Sequence, residues 1–327
     1  MPVHSTFLFL SMLNILSITG PIYLSIGMGF AATQRGMFSK ADGQVMGRFV
    51  LNFGLPAMLF NALANRNFSD VLHPRYLIAY GVGSLLTFAF GLVLWRKFRH
   101  KGLTESGLVA MGFSSSNSGY VGYPILLQVL GPAAGVALAL TVLIENLVVI
   151  PLALAIADSG ESEHASWQHT VKESLWRMCK LPMMWGIVLG FCFSMFDLEL
   201  PSVFAKTTNM FAAACAALAL FVNGGTLVGM RMEGLLRQVR WIALGKLVLH
   251  PLMVGLMLWV VGPMESSLQV SAILLAGMPM LGIYPLLAQR HGLAGFCASA
   301  LLVTTVASFF TISLILWGMS FVPGWHI

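Results

Sequence analysis

The sequence predicts an all-α integral membrane protein: ten transmembrane helices forming two inverted five-helix repeats, with broken crossing helices 4 and 9. Three observations lead there. Of the 327 residues, 57% are hydrophobic and only 9% are charged, against roughly 25% charged in soluble domains. The apolar residues fall into ten segments long enough, or nearly so, to cross a bilayer core, which takes about 20 residues. The chain also resembles itself at an offset of 161 residues.

The composition excludes a soluble enzyme, whose surface needs more charge, and a disordered chain, which is poor in apolar residues. The ten segments are 7–33, 45–64, 76–95, 104–128, 133–156, 181–197, 203–229, 239–261, 266–288 and 293–321. The first is too long for a signal peptide, lacks a basic leader and shows no small-residue cleavage site, so it is expected to remain as a span. Orientation follows from Lys and Arg, which concentrate on the cytoplasmic side. If alternate loops face the cytoplasm, beginning after span 1, that side carries Arg35, Lys40, Arg48, Arg96, Lys97, Arg99, Lys101, Lys172, Arg177, Lys180, Arg231, Arg237, Arg240 and Arg290. The other side carries Arg66, Arg75 and Lys206. This asymmetry places both termini outside the cytoplasm of a multi-pass plasma (inner) membrane protein. The formal charge of +6 is therefore a topology signal spread over loops. It is not a patch for nucleic acid, and no nucleic-acid partner is expected.

Residues 157–180 form the one long connection. Trp167, Val171, Leu175 and Met178 lie near helical spacing, which predicts an interfacial helix on the inner leaflet. Cys179, Cys192, Cys215 and Cys297 include no C-x-x-C pair, so neither a disulfide framework nor a zinc site is indicated.

At the 161-residue offset, Pro21 meets Pro182, Gly29 meets Gly190, and Leu59-Phe60 meets Leu220-Phe221. Over 123–142 and 284–303, 10 of 20 positions are identical without a gap, beginning with Tyr123-Pro124 against Tyr284-Pro285. Five spans per copy is an odd number, so the second copy enters the membrane from the opposite side. That is the inverted repeat of many secondary transporters. The expected domains are 1–156, a linker 157–180, and 181–327.

Span 4 contains "SSSNSGYVGYP" and span 9 contains "AGMPMLGIYP". Gly and Pro oppose a continuous helix. Interrupted segments at matching places in two repeats point to a transporter binding site. A half-helix N-terminus offers free N–H groups and partial positive charge, which suit a carboxylate. Ser116, Asn117, Ser118, Gly119 and Pro124 of span 4, Pro279, Tyr284 and Pro285 of span 9, and Asn52 of span 2 are the candidate substrate-binding residues.

Glu145, Lys246 and His250 lie inside predicted spans, where ionisable groups are costly and default to a functional hypothesis. Glu145 sits roughly 18 Å into span 5, too deep to reach water, and with Asn146 is a candidate for proton coupling. Lys246 has three open readings: snorkelling to the inner surface, pairing with Glu145, or attracting an anionic substrate. A single His at position 250 does not indicate a metal site. No phosphate-binding loop and no G-x-S-x-G setting appear, so neither ATP hydrolysis nor serine hydrolysis is expected. No catalytic residue and no cofactor are expected, beyond a coupling H+ or Na+.

"LNFGLPAMLF" in span 2, "SNSGYVGYPILLQVLG" in span 4 and "KLVLHPLM" in span 8 resemble the auxin efflux carrier family. This family includes plant PIN-type auxin exporters and bacterial malate or malonate permeases. The resemblance runs the length of the chain and is closer to the bacterial type, because the central loop is short. It implies a fold shared with sodium/proton antiporters and bile-acid symporters. Helices 3–5 and 8–10 would form a moving transport domain, and helices 1, 2, 6 and 7 a scaffold that can form a homodimer. It also implies that Asn117, seven residues before Pro124, contacts a substrate carboxylate. The expected function is secondary transport of small organic anions such as malate or malonate by alternating access. The alternatives are an auxin-like aromatic acid exporter, a cation/proton antiporter of the same fold, and an anion sensor that does not transport.

Overall fold

The computed structural model describes residues 2–66, 72–131, 134–160, 172, 176, 179–230 and 236–322. Most of the expected interfacial helix within 157–180 lies outside the described residues. The described chain is helical throughout, with no strand. In chain order the helices are α1 (Pro2–Gln34), α2 (Lys40–Ala64), α3 (Pro74–Phe98), α4 (Leu103–Ser114), α5 (118–130), α6 (Ala134–Ser159), α7 (Pro182–Met195), α8 (Ser202–Thr226), α9 (236–261), α10 (Ser266–Gly277), α11 (Tyr284–Leu287) and α12 (Ala294–Met319).

Seven of the described helices (α1, α2, α3, α6, α8, α9 and α12) are long and apolar enough to cross a membrane. The 14 residues of α7 and 12 of α10 are apolar but shorter. At 1.5 Å per residue, a 14-residue helix covers only about 21 Å of a core roughly 30 Å thick. Apolar side chains face outward along the bundle, among them Leu24, Phe90, Trp259 and Phe310. A multi-pass membrane protein accounts for both the long helices and this apolar exterior.

Helix α2 begins five residues before the apolar segment 45–64. Ser39 caps it: its Oγ accepts from the Asp42 N–H at 3.2 Å, and Asp42 accepts from the Ser39 N–H at 2.8 Å. This capping box satisfies two N–H groups that a helix end otherwise leaves free.

Prolines follow four of the π turns in the described helices; the turn at Leu94–Phe98 has none. A π turn at Val50–Gly54, Ser118–Gly122, Glu145–Val149 and Gly245–Leu249 each time precedes a proline, at Pro56, Pro124, Pro151 and Pro251. Proline has no N–H, so the carbonyl four residues earlier loses its helical partner. The ladder widens instead, and the residue before the proline bonds five back: Ile150 N–H to the Glu145 carbonyl, and His250 N–H to the Gly245 carbonyl. Such bulges concentrate at functional sites, and here two of them carry Glu145 and Lys246.

Glycines let the helices meet backbone to backbone, the usual way membrane helices gain contact without a hydrophobic drive. A Cβ at Gly224 of α8 would run into the Ile26 carbonyl of α1, and one at Gly29 of α1 into the Phe221 carbonyl of α8. Replacing Gly224 with Val should therefore pry α1 from α8. We expect a loss of roughly 2–4 kcal/mol, in the range of overpacked core substitutions, read as a lower melting temperature of the purified protein in detergent.

Candidate functional site

Two helices stop in mid-bundle and face each other. Helix α4 ends at Ser114, Ser115 is extended, and helix α5 starts at Ser118. Helix α10 ends at Gly277, Met278 is extended, and helix α11 starts at Tyr284. The exposed backbone groups bond to each other: Asn117 N–H donates to the Pro279 carbonyl at 2.8 Å, and Ser116 and Met280 form an antiparallel bridge. Unwound backbone without water needs such partners. Ser114 through Ser118 and Ala276 through Met280 are all buried.

Glu145 comes into this gap from the π turn of α6. Its Oε1 accepts from the Ser116 N–H at 2.8 Å and the Tyr80 hydroxyl at 3.2 Å, and its Oε2 accepts from the Ser118 hydroxyl at 2.8 Å. Lys246 arrives from the π turn of α9 and is fully buried, so it does not snorkel to the surface. Its ammonium donates to Ser116 Oγ at 2.9 Å, to the Ala276 carbonyl at 2.6 Å and to His250 Nδ1 at 2.9 Å. An ammonium has no acceptor, so Nδ1 accepts and the ring proton sits on Nε2. From there it faces Ser84 Oγ at 2.9 Å. Both His250 nitrogens are thus engaged.

Glu145 and Lys246 do not touch as an ion pair. Ser116 stands between them, giving its N–H to the carboxylate and its Oγ to the ammonium. Tyr80 lies 3.4 Å from Ser116 Oγ. Since Tyr80 spends its one proton on Glu145, the Ser116 proton points to the Tyr80 oxygen. The result is a directed chain from cation to anion: Lys246, Ser116, Tyr80, Glu145.

A second polar contact links the gap to α8. Asn117 Nδ2 donates to Asn223 Oδ1 at 3.2 Å. Asn223 Nδ2 is buried and has no hydrogen-bond partner among the described residues. Asn117 also stands at the head of α5, where no side chain caps the helix. Gly282 lies beside it, its Cβ position 3.4 Å from Asn117 Nδ2.

Other candidates fall elsewhere. Asn52 is exposed and donates to the Arg48 carbonyl of its own helix at 2.8 Å. Asn146 likewise bonds the Val142 carbonyl at 2.9 Å, turned away from its neighbour Glu145's partners. Tyr284 is buried, and its hydroxyl is taken by the Leu108 carbonyl of α4 at 3.0 Å, so it ties α11 to α4. Pro285 occupies the first turn of α11, where a missing N–H costs nothing, and Pro124 follows the π turn Ser118–Gly122 inside α5. Gly119 lies against Leu55.

Sequence reasoning missed Tyr80, Ser84 and Asn223. A signal was present: Tyr76, Tyr80, Ser84 and Thr87 recur at helical spacing along α3 and are all buried. Asn223 is an isolated amide in the buried part of α8. Two cavities, each of about 570 Å³, lie away from the gap, one beside Arg237 and Thr311 and one beside Arg66 and Glu199.

A bundle of membrane-crossing helices with a buried polar and ionic centre is an arrangement that membrane transport proteins use. Within that class, residues 16–317 match the family model described as "Membrane transport protein"; the chain belongs to this family, the auxin efflux carrier family. It is 26% identical over 308 residues to a Rhizobium meliloti protein named "Putative malonate transporter", covering 90% of this chain and 94% of that one. It is 25% identical over 238 residues to the uncharacterized transporter YfdV of Escherichia coli K12, covering 71% and 74%. It is also 25% identical over 211 residues to the lysosomal cholesterol signaling protein of Mus musculus, covering 62% of this chain and 24% of that one.

Removing one charge from the buried centre strands the other. Lys246→Met should cost about 3 kcal/mol, the lower end for breaking a buried charged pair. The double variant Glu145→Gln/Lys246→Met should recover more than half of that. A thermal-melt double-mutant cycle checks it, and additive losses would show that the two groups are independent.

Proposed function

We propose that this protein is a secondary transporter of small carboxylates that works by alternating access around the paired helix interruptions. The observation that carries this reading is the Asn117–Asn223 contact. It joins the interrupted segment to α8, and it leaves a buried amide donor without a partner among the described residues, next to a helix N-terminus that no described side chain caps. A carboxylate is the ligand that such donors fit, since it accepts several hydrogen bonds and welcomes the helix's positive end. The R. meliloti relative's name favours a short dicarboxylate such as malonate, with malate of similar size.

The ten-crossing inverted repeat is part of the proposal. Helices α4 with α5, and α10 with α11, each count as one interrupted crossing, and α7 as a short one. One packing fact supports it. Gly29 of α1 packs on Phe221 of α8, and Gly190 of α7 packs on Phe60 of α2. These four residues are two pairs related by the 161-residue offset, so the same contact is made twice by matching residues. In this reading α1, α2, α7 and α8 are the scaffold, offering a surface for a homodimer, and the remaining helices move. Asn117 and Asn223 then belong to opposite bodies, and their contact is one that motion would break and remake. The protein sits in the inner membrane with both termini outside.

Glu145 is the proposed proton carrier for coupling. Sodium exchange is less favoured, because the oxygens of Glu145 already accept from Ser116, Ser118 and Tyr80. Counterflow of radiolabelled malonate and malate in proteoliposomes tests the function. Flux is expected, and binding without flux would make the protein a sensor. Asn117→Ala should raise KM about tenfold or more, the loss of a hydrogen bond to a charged group; intact affinity would move the site elsewhere. Glu145→Gln should flatten the pH dependence of transport, and an unchanged rate and profile would remove Glu145 from coupling.

A further inference from the structure

The cavity between α9 and α12 opens sideways and takes no part in the chemistry above. Its volume is about 570 Å³. At one end stand Arg237 and Arg240, both exposed and neither in a hydrogen bond or ion pair with a described residue. Apart from Thr311, the rest is apolar and includes Leu244 and Val248 of α9 and Val303 and Ala307 of α12. We infer that this groove binds an anionic glycerophospholipid, with its phosphate at Arg237 and Arg240 and an acyl chain along α9 and α12.

Charge and length both fit that occupant. Arg237 and Arg240 are three residues apart, so they lie on one face of the helix. Arg240 also lies over the Trp241 ring at 5.8 Å, and Arg99, just past the end of α3, covers the same ring at 5.7 Å. A tryptophan flanked by arginines is the composition of a membrane–water boundary. Basic pockets between membrane helices recognise anionic head groups. From Arg237 to Val248 the helix rises roughly 16 Å, about half of a 30 Å hydrocarbon core, which is one leaflet. The exposed side chains of Leu252 and Phe310 extend the apolar track beyond the groove. A soluble phosphate would use only the arginine end and leave the apolar wall bare. The wall residues Leu247 and Val248 belong to the π turn that holds Lys246, so a seated chain would brace the turn that positions the ammonium.

The inference rests on membrane embedding and not on the proposed substrate, and its test reads binding rather than flux. Purified, delipidated protein would be offered phosphatidylglycerol or phosphatidylcholine of equal chain length, with native mass spectrometry counting retained lipid and thermal melting reading stabilisation. The wild type should retain phosphatidylglycerol at least tenfold over phosphatidylcholine. Arg237→Gln/Arg240→Gln should lose that preference, and Ala307→Trp, which fills the groove, should lose retention while keeping both arginines. Arg35→Gln/Arg48→Gln removes equal charge elsewhere and should behave as wild type. Melting without lipid identifies any variant that fails to fold; if Ala307→Trp does, Val303→Phe replaces it. Equal retention of the two lipids, undiminished preference in Arg237→Gln/Arg240→Gln, equal loss in the control, or full displacement by soluble glycerol phosphate would each overturn the site.

Discussion

Ser116 holds together two demands that hydrocarbon makes at once. A buried charge needs partners, and so does unwound backbone. At this residue the N–H, which α4 no longer uses, goes to Glu145, and the hydroxyl receives Lys246. The carboxylate thereby satisfies backbone freed by the helix interruption, and the ammonium reaches across to the Ala276 carbonyl at the end of α10. Interruption and ionic centre are one construction.

The prolines explain how the charges come to stand there. Pro151 and Pro251 each lie six residues after the first residue of a π turn, and those turns contain Glu145 and Lys246. A regular ladder would place each side chain differently around its helix; the extra residue re-aims it. Close glycine contacts then hold the carriers near one another, as where Gly83 of α3 meets Val254 of α9, and Gly245 of α9 meets Phe113 of α4. The chain from Lys246 through Ser116 and Tyr80 to Glu145 depends on helices α3, α4, α6 and α9 keeping that spacing. Polar networks of this kind are stiff when complete and costly when any member is lost.

Much of the architecture was legible in the residues, and the reasons are local. Apolar runs disclose membrane-crossing helices because lipid imposes length and composition. The helix ends at Ser114 and Gly277 lie beside Gly and Pro residues, which act on their own backbone. The capping box at Ser39 moved the start of α2 ahead of its apolar segment, since a polar first turn can be helical when it is capped. The surroundings of Glu145 were not legible. Its partners Tyr80, Ser116 and Ser118 come from 27 to 65 residues away, and no periodicity within one helix reports them.

The sequence alone determined the class, a helical membrane protein, together with its charged residues and the positions of its glycines and prolines. Their effects follow from solvent, hydrogen bonding and backbone geometry acting within one segment. Only the tertiary structure decided what the buried charges touch. It removed the snorkelling reading of Lys246, replaced a direct pair with a bridge through Ser116, and turned Tyr284 into a brace against α4. Those outcomes depend on which helices lie side by side. That is set by packing over the whole bundle, where small residues determine how close two backbones can come.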